Sequence, residues 1–162
     1  MNADAFRHFY DYHFAPNRMI WYFVMQLSEE QFMQPNHYSL GSVRNQIVHL
    51  MNIDDVWFTQ LTGASDIETL YPDEGDDRAA IRIHWDEVVQ RMRTYLTALR
   101  DDMLFIKPFP DHPEDKDMIL WQVLLHVANH GTDHRAQILR LMNDLGLETP
   151  PQDYGLYVYD HP

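Results

Sequence analysis

The stretch from Leu120 to Leu145 constrains the fold most, because its apolar residues recur with the spacing of an α-helix. Steps of three, four or their sums place these residues on one helix face: Leu120, Val123, Val127, Ile138, Leu141 and Leu145. His130 and His134 fall on the same face, within ~30° of its centre at ~100° per residue. The stretch therefore predicts a long amphipathic helix with two histidines where core residues are expected.

His130 and His134 are four residues apart, which places their Cβ atoms roughly 6 Å apart on a helix. Two imidazoles at that separation can reach one cation, and neutral imidazole is a favoured ligand for Zn, Ni, Cu and Fe. Four poor helix formers surround the pair: Asn129, Gly131, Thr132 and Asp133. Gly131 alone costs about 1 kcal/mol relative to alanine. A locally weak run in mid-helix favours a metal site over a scaffold element.

Two alternatives bear on this interpretation. Core histidines are often hydrogen-bonded packing residues, and that interpretation of His130 and His134 stays open. The metalloprotease motif H-E-x-x-H is excluded, because Gly131 follows His130 where that motif has glutamate.

Length and composition indicate one domain over residues 1–162, with 45% apolar and 23% charged residues. No apolar run approaches the roughly 20 residues of a membrane span. The N-terminus lacks a basic start followed by an apolar block, so we expect no signal peptide and a cytoplasmic location.

Charge and cysteine content exclude several functions. The chain has no cysteine, so a metal would be held by His, Asp or Glu, and a sulfur nucleophile would come from outside. The net charge of −13 disfavours nucleic acid and anionic membrane as partners, because binding to either rests on Lys and Arg. The acidic surface does not forbid a small-molecule substrate, which is the partner that we expect.

The other periodic segments predict an all-α protein, a four-helix bundle with a short extra helix and an irregular aromatic C-terminal tail. Long helices are expected over residues 3–27, 42–61, 77–100 and 120–145, and a short one begins at Ser28. Pro16 is expected to kink the first helix or split off its first turns. The connection at 63–76 is long enough for a crossover, and the tail is expected to pack on the bundle or on a partner subunit.

Four polar residues of the first two long helices also bear on a possible site. Asp54 lies within the stripe of the second helix, where carboxylates are unusual. It either reaches water through a bend in the helix or faces a ligand or substrate. His49 lies at the edge of that stripe. His8 and His13 are interpreted as structural or surface residues, with His13 lining a pocket as the alternative.

These motifs resemble the DinB/YfiT-like metalloenzymes over essentially the whole chain. The matching motifs are SVRNQIVHLMNIDDVW in the second helix, LLHVANHGTDHRAQI in the last helix and GLETPPQDY after it. The resemblance implies a four-helix bundle and a divalent metal on His49, His130 and His134. In this chain Asp133 replaces a further histidine that is common in the family, and Ala136 replaces a usual glycine.

His126 lies one turn before His130, but ~80° around the helix from His134. We therefore interpret it as a residue that supports the site or the fold, and not as a ligand.

The resemblance also implies a reaction, because relatives include transferases and isomerases that use low-molecular-weight thiols. Zn or Ni is the expected metal, with Fe or Mn as further candidates. Asp54 and Asp133 are the candidate catalytic carboxylates, and Arg135 is the candidate contact for a thiol cofactor. Alternatives are metal-dependent hydrolysis of a small amide or ester, and a non-catalytic metal-binding or stress-response protein. A homodimer is expected.

Overall fold

The computed structural model describes residues 1–64, 70 and 77–161, and the regular elements within them are all helical. They are α1 (Ala3–Val24), α2 (Glu29–Met33), α3 (Val43–Leu61), α4 (Arg78–Ala98), a 3₁₀ helix (Asp101–Phe105), α5 (Leu120–Asp144) and α6 (Tyr154–Asp160). The all-α prediction is confirmed.

The four long helices α1, α3, α4 and α5 form the bundle. Each packs mainly against two others, in the order α1, α4, α3, α5 around the bundle. The connection at 63–76 therefore joins adjacent helices, and most of it lies outside the described residues. The crossovers lie in the other two connections, one carrying α2 and one carrying the 3₁₀ helix.

The predicted stripe of α5 faces the core. Leu120, Val123, Val127, Ile138 and Leu141 are buried, while Leu145 at the helix end is half-buried. α3 contributes Val43, Ile47, Leu50 and Phe58, which are also buried. Helices α3 and α5 thus share the apolar interface that brings their histidines together.

Pro16 does not split the first helix, since α1 runs through it without interruption. A proline inside a helix costs about 3 kcal/mol, because it removes one hydrogen bond and crowds the preceding turn. Buried side chains lie on both sides of Pro16: Tyr12, Phe14, Ile20 and Trp21. Their packing holds both halves of α1 against the bundle and outweighs the local cost.

Three side-chain hydrogen bonds fix where α2 and α3 begin. Ser28 Oγ accepts from Gln31 N at 3.1 Å and Gln31 Oε1 accepts from Ser28 N at 2.9 Å, which forms a capping box at the residue where this helix was expected to begin. Ser42 caps α3, because its Oγ accepts from Asn45 N at 3.0 Å.

The tail differs from the irregular segment that was predicted, because residues Tyr154–Asp160 form α6. Asp153 Oδ1 accepts from Leu156 N at 3.1 Å and starts this helix. Tyr154 and Tyr157 are three residues apart and pack edge-on against Tyr12 of α1, with ring centroids 5.0 and 5.5 Å away. The tail thus packs on its own bundle. No helix among the described residues is both long and apolar enough to cross a membrane.

Candidate metal centre

Three histidines meet between α3 and α5. His49 comes from α3, and His130 and His134 come from adjacent turns of α5. The His130 and His134 ring centroids are 4.3 Å apart, and the His49 and His134 centroids are 4.5 Å apart. Each ring offers one nitrogen within 4.8 Å of the other two. These three side chains form the His cluster, and all of them are half-buried.

Local electrostatics keep the His cluster neutral. Burial and the neighbouring histidines lower the pKa of His130 to about 4. Burial also lowers the pKa of His49, with a further decrease from His134. Burial lowers the pKa of His134, although Asp133 acts in the opposite direction. At neutral pH the three rings therefore hold lone pairs and not charges, which is the protonation state that metal binding requires.

The donor set fits a divalent cation. Two nitrogens that each lie about 2.1 Å from Zn at a tetrahedral angle are about 3.4 Å apart. The Nε2 atoms of His49 and His130 are 3.3 Å apart. His130 Nδ1 is buried and has no hydrogen-bond partner among the described residues. The His cluster could hold a metal ion, because its spacing and its neutral donors both allow one.

His126 lies outside the His cluster. Its side chain is exposed, and its ring contacts Trp57 at a centroid distance of 5.3 Å. Its ring centroid is 5.9 Å from that of His130. It borders the cluster on the side where α5 faces solvent.

Asp54 does not reach water, so the solvent-facing interpretation of this residue is wrong. It is 1% exposed, and its Oδ2 lies 3.1 Å from His13 Nε2 across the α1–α3 gap. The other oxygen, Oδ1, is buried without a hydrogen-bond partner in the described part of the chain. Asp54 thus pairs with a histidine that is not part of the His cluster.

Arg135 is fully buried, and hydrogen bonds engage all three of its guanidinium nitrogens. Nε donates to Gln152 Oε1 at 2.9 Å, Nη1 to Asn17 Oδ1 at 3.0 Å and Nη2 to Thr132 Oγ1 at 2.9 Å. Nη1 also lies 3.2 Å from His13 Nδ1. This placement favours a packing role over the thiol contact predicted from the sequence.

Gly131 makes room for this buried network. A Cβ atom on Gly131 would overlap His13 Cε1 and would lie 2.9 Å from both His13 Nδ1 and Arg135 Nη1. The glycine that weakens the helix locally is therefore required by the close approach of α1. Part of the weak run in α5 serves packing beside the His cluster.

Asp133 lies on the exposed side of α5 and accepts from Gln137 Nε2 at 3.0 Å. Of the two candidate carboxylates, it is the one that solvent reaches.

Sequence reasoning missed Gln46 and Gln137, whose side chains lie beside the His cluster. Gln46 Oε1 lies 2.9 Å from His134 Nδ1, and Gln46 Nε2 donates to Gln137 Oε1 at 3.0 Å. Both were detectable in principle, because each lies three residues from a cluster histidine on the same helix. The missing information was that α3 and α5 face each other at these positions.

The fold and the His cluster define a class: a helical bundle with a candidate metal centre between two of its long helices. The sequence model of the DinB family matches residues 1–161, so the chain belongs to the DinB family. Protein DinB of Bacillus subtilis (strain 168) is 26% identical to this chain in an alignment 166 positions long, which covers 98% of this chain and 96% of that relative.

Proposed function

We propose that the protein binds a divalent metal through His49, His130 and His134 and uses it to transfer a low-molecular-weight thiol to an electrophilic small molecule. The His cluster carries this proposal, because it is a set of three neutral nitrogen donors on two rigid helices. Imidazole donors suit Zn, Ni and Fe. We propose Zn or Ni as the metal, with Fe or Mn as the next candidates.

The chemistry follows from the charge of the donor set. Three imidazoles would leave the full +2 charge on a bound metal, and that charge would lower the pKa of a thiol or water molecule that the metal binds. The chain itself has no cysteine, so the sulfur nucleophile is a separate small molecule. The thiol proton leaves to a base, the sulfur forms a bond to the electrophilic carbon, and the leaving group departs with its electron pair.

Asp133 is the better placed of the two candidate carboxylates to accept that proton. Its side chain is exposed and lies on the same helix as two cluster histidines, whereas Asp54 is buried against His13. We propose Asp133 as a proton acceptor near the site, and we assign Asp54 and Arg135 to the bundle interior.

The test combines metal analysis with a thiol-conjugation assay. The metal content of the purified protein is measured first. The metal-loaded protein is then incubated with bacillithiol, mycothiol, glutathione or coenzyme A and with a chlorinated bimane, in which the new C–S bond replaces the C–Cl bond. We expect rate enhancement with at least one thiol, its loss in His130→Ala and its retention in His112→Ala, which removes an exposed loop histidine.

Two other outcomes of these assays would support a different function. Metal-dependent turnover of an amide or ester panel without any thiol effect would favour hydrolysis, with water in place of the thiol. Metal binding without turnover in either assay would favour a non-catalytic metal-binding or stress-response role.

A further inference from the structure

A chain of polar side chains links the exposed face of α5 to the His cluster. Gln137 Nε2 donates to Asp133 Oδ2 at 3.0 Å, and Gln46 Nε2 donates to Gln137 Oε1 at 3.0 Å. Gln46 Oε1 then lies 2.9 Å from His134 Nδ1. The four residues form a continuous hydrogen-bond relay that crosses from α5 to α3 and returns to α5.

The carboxylate at one end of the relay sets its direction. An ionised Asp133 can only accept, so Gln137 must turn its NH₂ group toward it. The Gln137 carbonyl then faces Gln46 and requires a donor there, which turns the Gln46 NH₂ group toward Gln137. The Gln46 carbonyl is left facing His134 Nδ1, and a carbonyl oxygen can only accept. Each link therefore fixes the orientation of the next.

We propose that Asp133, Gln137 and Gln46 hold His134 as the tautomer that carries its proton on Nδ1, with the Nε2 lone pair directed at the His cluster. Gln46 is the positioning residue in direct contact with the ring. The tautomer is a property of the metal-free protein, and only its consequence for affinity rests on the proposed metal site.

Gln46 is the relay residue whose hydrogen bonds water can least replace. Its side chain is fully buried, so water cannot replace either of its hydrogen bonds. Removal of its carbonyl leaves His134 Nδ1 without this acceptor and allows the proton to move to Nε2, where it blocks the lone pair. Partners that orient a ligand histidine typically change metal affinity about 10–100-fold when they are lost.

The direct test is the ¹⁵N spectrum of the imidazoles in the metal-free protein at neutral pH, which distinguishes protonation on Nδ1 from protonation on Nε2. We expect the Nδ1–H form of His134 in the native protein and in the control variant Gln90→Met, which makes the same substitution at an exposed position of α4. We expect a mixture of the two tautomers in Gln46→Met. A native spectrum dominated by the Nε2–H form, or an unchanged spectrum in Gln46→Met, would overturn the proposal.

A relocated carboxylate tests the direction of the relay. In Asp133→Asn the end group can donate or accept, so we expect a reduced Nδ1–H population. In the double variant Gln46→Glu with Asp133→Asn, the new carboxylate accepts from both His134 and Gln137, and the amide introduced at position 133 donates to Gln137. We expect the Nδ1–H form to return. A native-like spectrum in the single variant Asp133→Asn would remove Asp133 from the relay.

Competition with a chelator measures how loss of the Gln46 contact changes the affinity for metal. We expect Zn²⁺ affinity to fall about 10–100-fold in Gln46→Met and to stay unchanged in Gln90→Met. Circular dichroism confirms that each variant is folded. If the native protein binds no metal, the proposed function fails while the ¹⁵N spectrum still decides the tautomer, so the two failures are distinguishable.

Discussion

At the scale of single residues, the His cluster depends on three side chains that two helices supply. His49 and His130 approach through their Nε2 atoms, and His134 is linked to Gln46 through its Nδ1 atom. His126 lies on the same helix as two of them but contacts Trp57 and solvent. The three cluster residues and His126 should therefore respond differently to substitution.

Each of the variants His49→Ala, His130→Ala and His134→Ala should bind metal much more weakly, because a lost ligand leaves the ion under-coordinated. His126→Ala should retain metal, with at most the loss of about 10–100-fold that is typical of residues that support a ligand. Isothermal titration with Zn²⁺ measures both effects, and a metal-induced rise in melting temperature reports the same ranking. If His126→Ala abolishes binding and His49→Ala does not, the third ligand is assigned wrongly.

At the scale of helices, α5 carries a glycine, which is a poor helix former, at the point where it approaches α1 closely. Gly131 lies where the imidazole of His13 and the guanidinium of Arg135 pass against the helix backbone. Gln152 fixes the same region from the tail, donating to Thr132 O at 3.1 Å and accepting from Arg135. The contact between α1, α5 and Gln152 at this point is therefore polar, with His13 and Arg135 fully buried.

Gly131→Ala should destabilise the protein, although the same change in an ordinary helix gains about 1 kcal/mol. The new methyl group would displace His13 or Arg135, which are both fully buried, and overpacking typically costs about 1–3 kcal/mol. Urea unfolding measures the free energy of unfolding. Asn129→Ala, on an exposed position of the same helix, serves as the control and should be neutral or stabilising. A more stable Gly131→Ala variant would contradict the assigned role of this glycine.

At the scale of the whole molecule, the His cluster links stability to pH. The pKa values of its histidines lie below the ordinary value near 6.5, with His130 at about 4. The unfolded chain therefore takes up protons first as the pH falls, and protonation favours unfolding. The stability that the neutral histidines allow is present above about pH 6.5 and is lost as the pH falls toward about 4.

The metal-free protein should accordingly show a falling urea midpoint between about pH 6.5 and about pH 4. His130→Gln should flatten this dependence, because it removes the group with the largest decrease in pKa within the cluster. Asn129→Gln changes the adjacent exposed position without a titrating group and should keep the native slope. An equal slope in His130→Gln and the native protein would contradict this origin of the pH dependence.

The oligomeric state is a second property of the whole molecule. We expect a homodimer, because symmetric dimers are the commonest form among soluble oligomers and the tail leaves large apolar side chains exposed. Tyr159 is 82% exposed and Leu156 is 48% exposed. Multi-angle light scattering at micromolar concentration should give twice the mass of one chain, and a monomer mass would count against the dimer.

The sequence by itself determined the helices and part of the His cluster. Apolar periodicity is a local property, so α5 could be placed within about one residue, and the spacing of His130 and His134 put both rings on one face. Residue patterns shared with a known family supplied His49. Packing overrode local signals at Pro16, where the helix continues, and at the tail, where tyrosines packed edge-on against Tyr12 support a short helix.

Only the tertiary structure decided which polar residues meet. Asp54 pairs with His13 across 41 residues of sequence, Gln46 bonds Gln137 across 91, and Arg135 contacts His13 across 122. Each of these residues lies on a predictable helix face, but its partner lies on another helix. Helical periodicity fixes the direction of a side chain around its own axis and carries no information about the rotation and register of the neighbouring helix. Those two quantities decided that Arg135 and Asp54 lie in the interior while Gln46 contacts a cluster histidine.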